Sequence, residues 1–202
     1  MSASRRPALL VLDLGGVVFP SAMPQVLGEL AEISGVGERR IWRHFNHHLF
    51  QPFWSGRMDI AEFWARLTDF AGVPGATGRW QTEMTSRLLE PLPALGRLGA
   101  WAEVVPLGIL SNHRAEWVRP ALEAHDVMGL FGPVLISSET GLVKPDPDAF
   151  RQLAELGPAP EEVLYVDDRP GALRRAEWFG IRTMEADADA RWIPRLEEVL
   201  GT

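Results

Sequence analysis

The chain has 202 residues, 46% hydrophobic and 23% charged, the balance of an ordinary globular protein long enough to bury a sizeable core. A formal charge of −7 speaks against a nucleic-acid coat or an anionic-membrane binder, neither of which could exploit counterion release. The absence of cysteine excludes disulfides, thiolate metal sites and cysteine nucleophiles.

The first predicted element is a buried strand over Ala8–Leu12, a short apolar run with a proline before it. It ends in "DLGG", so that a lone carboxylate, Asp13, is followed by Gly15 and Gly16. Turns use Asp and Gly for their own reasons, and the meaning of this pair depends on the rest of the chain. The same run is too short for the apolar core of a signal peptide, and no stretch approaches a membrane span. A soluble cytoplasmic protein, monomeric or homodimeric, is the expectation.

From Pro20 to Pro93 no strand-like run occurs. The clearest helix is "DIAEFWARLTDF", where Ile60, Phe63, Trp64, Leu67 and Phe70 repeat at helical spacing behind an Asp59–Glu62 capping pair. Prolines mark both ends, in "FPSAMP" and "EPLP". Residues 20–92 therefore read as a helical subdomain inserted into a core made of residues 1–19 and 93–202. Its aromatic stripe is expected to be core. The run "RHFNHH" places His44, His47 and His48 on one helix without a carboxylate or cysteine nearby, which suits a solvated or interface face better than a metal site.

Strand-like runs resume at Val104–Leu110, Pro133–Ser137 and Glu162–Val166, with a weaker one at Gly180–Met184. Helical patterns separate them. "DPDAFRQLAEL" opens on Asp146 as N-cap and Pro147 at the first helical position, and "PGALRRAEWFG" carries Leu173, Ala176, Trp178 and Phe179 up to a terminating Gly180. The alternation predicts an α/β fold: a Rossmann-like, doubly wound parallel sheet with an inserted helical cap.

In such a sheet all strand C-termini share one edge, where ligands bind. The residues that fall there are Asp13, then Ser111 and Asn112, then Lys144 in the loop after the third strand, then Asp167 and Asp168. Clustered carboxylates repel one another unless a cation joins them, and oxygen-only ligands favour Mg²⁺, which also binds phosphate. A carboxylate beside that ion can attack phosphorus, with Lys144 offsetting charge on the phosphoryl oxygens and the Ser111–Asn112 loop suited to hold them.

The ordered segments "DLGGV", "LSN", "VKPDP" and "VDD" resemble the four motifs of the haloacid dehalogenase superfamily. The inserted helices are similar to the cap of its first subclass, and "WSGRMDIAEFW" is similar to a recurrent cap segment of those relatives. The resemblance implies a Mg²⁺-dependent phosphatase of a small phosphorylated metabolite, a class that includes sugar phosphates. It assigns Asp13 as nucleophile and metal ligand, Asp168 and the Gly15 carbonyl as further ligands, and Asp167 as their outer support. Ser111 and Asn112 would hold phosphate, and Lys144 would serve as the motif lysine in binding and catalysis.

Two departures stand out. Gly15 replaces the usual general acid and base, as in a D-x-G group similar to glucose-1-phosphate phosphatases, and Ala172 stands where an outer-sphere Asn or Asp is common. His113, which follows the phosphate loop, is a candidate replacement acid, although a surface histidine at a helix start is the plainer reading. The alternatives are a metal-free dehalogenase, which would gain nothing from paired acids, and a catalytically impaired phosphometabolite-binding protein.

Overall fold

The computed structural model describes residues 6–75 and 77–202. Five parallel strands form its sheet: β1 (Leu9–Leu12), β2 (Leu107–Ser111), β3 (Phe131–Ile136), β4 (Val163–Asp167) and β5 (Arg182–Glu185), in the order β3-β2-β1-β4-β5. β1 is central, with Leu10 in register with Leu107 on one side and Leu164 on the other. The apolar runs are continuous because both sheet faces are covered. Leu10, Leu12, Ile109 and Val166 point into one core, while Leu9, Val11, Leu110 and Tyr165 point into the other. This is the α/β Rossmann-like arrangement expected from the sequence.

Between β1 and β2 run α1 (Ala22–Ser34), α2 (Glu38–His44), α3 (Phe50–Trp54), α4 (Ile60–Ala71), α5 (Thr77–Arg87) and α6 (Leu98–Ala102). A π-helical turn, Phe45–Leu49, joins α2 to α3. The second half alternates: α7 (Ala115–Ala124) follows β2, α8 (Ser137–Thr140) and α9 (Pro147–Ala154) follow β3, α10 (Pro170–Glu177) follows β4, and α11 (Trp192–Leu200) follows β5. The Asp59 carboxylate accepts from the Glu62 N–H at 2.7 Å and starts α4 as its spacing predicted. Among the described residues no helix is long and apolar enough to cross a membrane.

Three local expectations differ. The second strand begins at Leu107 rather than Val104, because the Val104 and Val105 N–H groups close α6 onto the Trp101 carbonyl and Pro106 has no N–H to offer a ladder. The third strand ends at Ile136, where Ser137 opens α8. Trp178 lies just past α10 and is 80% exposed, so it is no part of the buried face that Leu173 and Ala176 provide. On α2, His44 stacks on Phe70 at 3.8 Å, while His47 and His48 face solvent.

Arg114 and Ser137 fasten the helical segment to the sheet edge. Arg114, 5% exposed, donates from Nη1 to the Phe53 and Met58 carbonyls at 2.9 and 3.0 Å and binds Glu116 through its other nitrogens. Ser137 donates its hydroxyl to the Trp54 carbonyl at 2.7 Å. Gly56, with φ +76°, lies so close to the Ser138 carbonyl that a Cβ there would collide with it. The glycine in "WSGRMD" thus answers to a close backbone approach.

Candidate active site

Three strand ends and one loop deliver polar residues to one place. Asp13 follows β1, Ser111 closes β2, Asp167 closes β4 with Asp168 beside it, and Lys144 reaches in from the loop between α8 and α9. Asp13, Asp167 and Asp168 each bring a carboxylate oxygen within 4.8 Å of the others. Asp13, Ser111, Lys144 and Asp167 are buried, so the charges interact with little solvent screening.

Hydrogen bonding divides the three acids by task. Asp167 has both oxygens engaged: Oδ2 accepts from Lys144 Nζ at 2.6 Å and from the Tyr165 hydroxyl, and Oδ1 accepts the Arg169 N–H at 2.7 Å. Burial alone would raise its pKa, but the Lys144 charge and these donors hold it below the ordinary value. Asp13 accepts the Leu14 N–H at 2.8 Å on Oδ1, meets Lys144 Nζ at 3.2 Å on the same oxygen, and bonds to the Ser111 hydroxyl. Burial raises it, Lys144 opposes, and repulsion from Asp167 adds to the rise. Asp168 is pushed up to about 6 by burial and by the charges of Asp13 and Asp167. Its Oδ1 is buried without a hydrogen-bond partner, and Arg169 Nε at 3.9 Å is too far to serve as one.

A buried, unsatisfied carboxylate oxygen facing a second carboxylate is costly unless a cation binds there. The residues therefore fit a hard divalent ion, with Asp13 and Asp168 able to ligate while Asp167 is committed elsewhere. Gly16 makes the arrangement possible. Its φ is +80°, and a Cβ would run into the Asp168 carboxylate, with Cγ only 2.6 Å away. Gly15 is different: its backbone is ordinary, and a Cβ would meet nothing nearer than Ser21 Oγ at 3.5 Å. One glycine admits the acid; the other simply lacks a side chain.

Asn112 holds the lysine in place. Its side-chain amide donates to the Lys144 carbonyl and accepts the Lys144 N–H, both at 2.8 Å, so its Oδ1 and Nδ2 strap the lysine loop. His113, expected at the surface, is buried under Trp54 and Trp117 at ring distances of 5.8 and 6.2 Å. Burial lowers it to about 4, and its Nδ1 accepts the Arg114 N–H at 3.0 Å. A neutral imidazole so depressed is a poor proton donor at neutral pH. Ala172 lines the cavity beside Asp13 and offers no polar atom.

Sequence reasoning missed Tyr165, whose place inside the apolar run "VLYV" reads as core. Its hydroxyl accepts from Lys144 Nζ at 2.6 Å and donates to Asp167. A signal was available: Tyr165 is the one tyrosine of the chain, and Lys144 is its one lysine among nineteen arginines.

Residues 75–186, more than half of the chain, match the family model described as haloacid dehalogenase-like hydrolase. The chain belongs to the haloacid dehalogenase-like hydrolases. Among curated relatives of this family, phosphoglycolate phosphatase of Escherichia coli strain K12 is 34% identical over 80 residues, 39% of this chain. That match spans about a third, 32%, of the relative's length. A predicted family hydrolase from Porphyromonas gingivalis superposes with TM-score 0.74 at 24% identity, covering 99% of this chain and 100% of that one. A family enzyme from Bacteroides thetaiotaomicron, solved in complex with magnesium and inorganic phosphate, gives 0.71 at 18% identity, covering 92% of this chain and 97% of that one. At these identities the two structures establish the haloacid dehalogenase fold.

Proposed function

We propose that this haloacid dehalogenase-like hydrolase is a Mg²⁺-dependent phosphatase that hydrolyses a small phosphorylated metabolite through an aspartyl-phosphate. The observation that carries the reading is the unpartnered, buried Oδ1 of Asp168 opposite Asp13, with Asp167 fully committed to Lys144, Tyr165 and the Arg169 N–H. A metal-free dehalogenase has no use for that oxygen. The magnesium and phosphate of the Bacteroides relative, and the phosphatase among the curated relatives, support the same choice.

In this reading Asp13, Asp168 and the carbonyl of Gly15 would hold Mg²⁺, which would supply Lewis-acid polarisation of the phosphoryl oxygens. Asp13 attacks phosphorus as the bond from phosphorus to the substrate oxygen breaks, and that oxygen takes its proton from solvent water. Water then attacks phosphorus, releasing inorganic phosphate and restoring Asp13. Lys144, held by Asp167 and Tyr165, offsets charge on the phosphoryl oxygens in both steps. Ser111 fixes the Asp13 carboxylate, and the loop from Ser111 to Asn112 borders the phosphate. No side chain at Gly15 assists the departing oxygen, so the substrate leaving group carries more of that burden. Residues 20–92 act as a cap over this edge, with Phe50 of α3 walling the cavity beside Asp13. Their movement about Pro20 and Pro91–Pro93 would admit substrate and exclude water.

The test is phosphate release from a panel of small phosphorylated metabolites, with Mg²⁺ and with a chelator. Release that requires Mg²⁺ supports the reading, and full activity in chelator contradicts it.

A further inference from the structure

Two cavities, of about 150 and about 40 Å³, open beside Asp13 and on the cap side of Gly15, and both are bordered by Gly15, Asn112 and Arg169. Both lie below the ~300–1,000 Å³ of pockets that take drug-sized ligands, so in this conformation a nucleotide or a long chain does not fit. The walls added to the larger cavity by Phe50, Pro145 and Ala172 carry no charge.

The cations of this site differ in what they have left to give. Lys144 Nζ has three N–H groups and three oxygen neighbours, on Asp13, Asp167 and Tyr165. The Arg169 side chain is 53% exposed, and among the described residues its guanidinium makes one ion pair, the 3.9 Å approach to Asp168. Arg169 borders both cavities, and among the described residues no hydrogen bond commits the five N–H donors of its planar fork, which lies beside the phosphoryl position.

From this placement we infer that the substrate is a small phosphorylated carboxylic acid, whose carboxylate is bound by Arg169 in a two-pronged pair while the phosphoryl group sits on Asp13. A carboxylate matches the guanidinium fork in shape and charge, and in this conformation the larger cavity has room for a leaving group of only a few non-hydrogen atoms. A neutral hydroxyl would use one donor and leave the charge unanswered. The inference rests on the phosphatase reading above and adds the class of leaving group.

The experiment compares 2-phosphoglycolate with its neutral amide, carbamoylmethyl phosphate, which has the same number of non-hydrogen atoms. The wild-type protein is expected to prefer the acid by at least about tenfold in kcat/KM, chiefly through KM, as loss of a charge-assisted pair implies. In Arg169→Met the ratio of the two kcat/KM values falls at least about tenfold, and Arg169→Lys recovers part of it. Equal use of acid and amide by the wild type overturns the inference. So does an Arg169→Met variant that loses both substrates in equal proportion, since its guanidinium would then serve the phosphoryl group. If a wider metabolite panel is hydrolysed without preference for acids, the substrate class alone is wrong. If nothing is hydrolysed, the phosphatase reading falls and this one with it.

Discussion

Lys144 Nζ lies 2.6 Å from the hydroxyl of Tyr165, and both groups bond to the same oxygen of Asp167. The tyrosine accepts from the lysine and donates to the aspartate, so it must keep its proton. Burial and the neighbouring carboxylates push its pKa well above the usual value, which secures this. Tyr165→Phe keeps the ring against Phe150 but removes one of the three oxygens that orient Lys144. Turnover is expected to fall at least about tenfold with little change in KM, the effect of losing a hydrogen bond to a charged group. Lys144→Arg should do worse, because a planar fork cannot meet three oxygens arranged around an ammonium. Steady-state kinetics of both variants checks the order.

The raised pKa of Asp168, about 6, makes magnesium affinity depend on pH. Below that value a proton occupies the carboxylate and must leave before the ion binds. The apparent Mg²⁺ dissociation constant should therefore be about tenfold weaker at pH 5 than at pH 7, by the ratio of ionised fractions. Titration calorimetry of Mg²⁺ binding is the right measurement. A plain melting curve against pH is not, because two groups oppose each other in the same window. Asp168, raised above its unfolded value of 3.8, makes the metal-free fold lose stability as pH climbs from about 4 to 6. His113, depressed from 6.5 to about 4, makes it gain stability over that range.

Gly15→Asp should fold. The position has an ordinary φ, and the new Cβ meets only Ser21 Oγ at contact distance. General acid–base help is typically worth ~10²–10⁴-fold, so the parent should depend steeply on the pKa of the leaving group and hydrolyse aryl phosphates far better than alkyl ones. Gly15→Asp should flatten that dependence. A shallow slope in the parent that persists in His113→Ala would mean that another group supplies the proton.

The strand ends explain which parts of this site could be read from the chain. Asp13, Ser111 and Asp167 each terminate an apolar run, and a parallel sheet puts such positions on one edge whatever the details of packing. Lys144 and Asn112 were readable as site residues, but their mutual strap was not, since it joins two loops whose relative position only the fold sets. Tyr165 was hidden because alternation along a doubly covered strand makes every residue look like core. The burial of His113 and the exposure of Trp178 escaped for a similar reason: the first depends on Trp54, carried in by a distant helix, and the second on what the described residues leave open at the end of α10.

Arg114 is expected to matter for stability. Truncation to Met removes a buried donor from the Phe53 and Met58 carbonyls, of which the first keeps the Gly56 N–H. The cost should be about 1–3 kcal/mol, read as a lower denaturant midpoint, since losing the donor of a buried polar group costs that much. A surface-like change within about 0.5 kcal/mol would mean the latch between helical segment and sheet edge is dispensable.

The central claim is that Asp13 forms a covalent bond to phosphorus. The direct test is rapid acid quenching of the wild-type protein and Asp13→Asn during turnover of a phosphomonoester with Mg²⁺, followed by mass spectrometry of the intact chain and its peptides. The account predicts one added phosphoryl group, labile to base, on the peptide that contains Asp13. It also predicts no such adduct, and turnover reduced far beyond tenfold, in Asp13→Asn, which keeps the size of the side chain and loses the nucleophile. An Asp13→Asn protein that turns over within about tenfold of the parent, or a phosphoryl group carried by another residue, would contradict it.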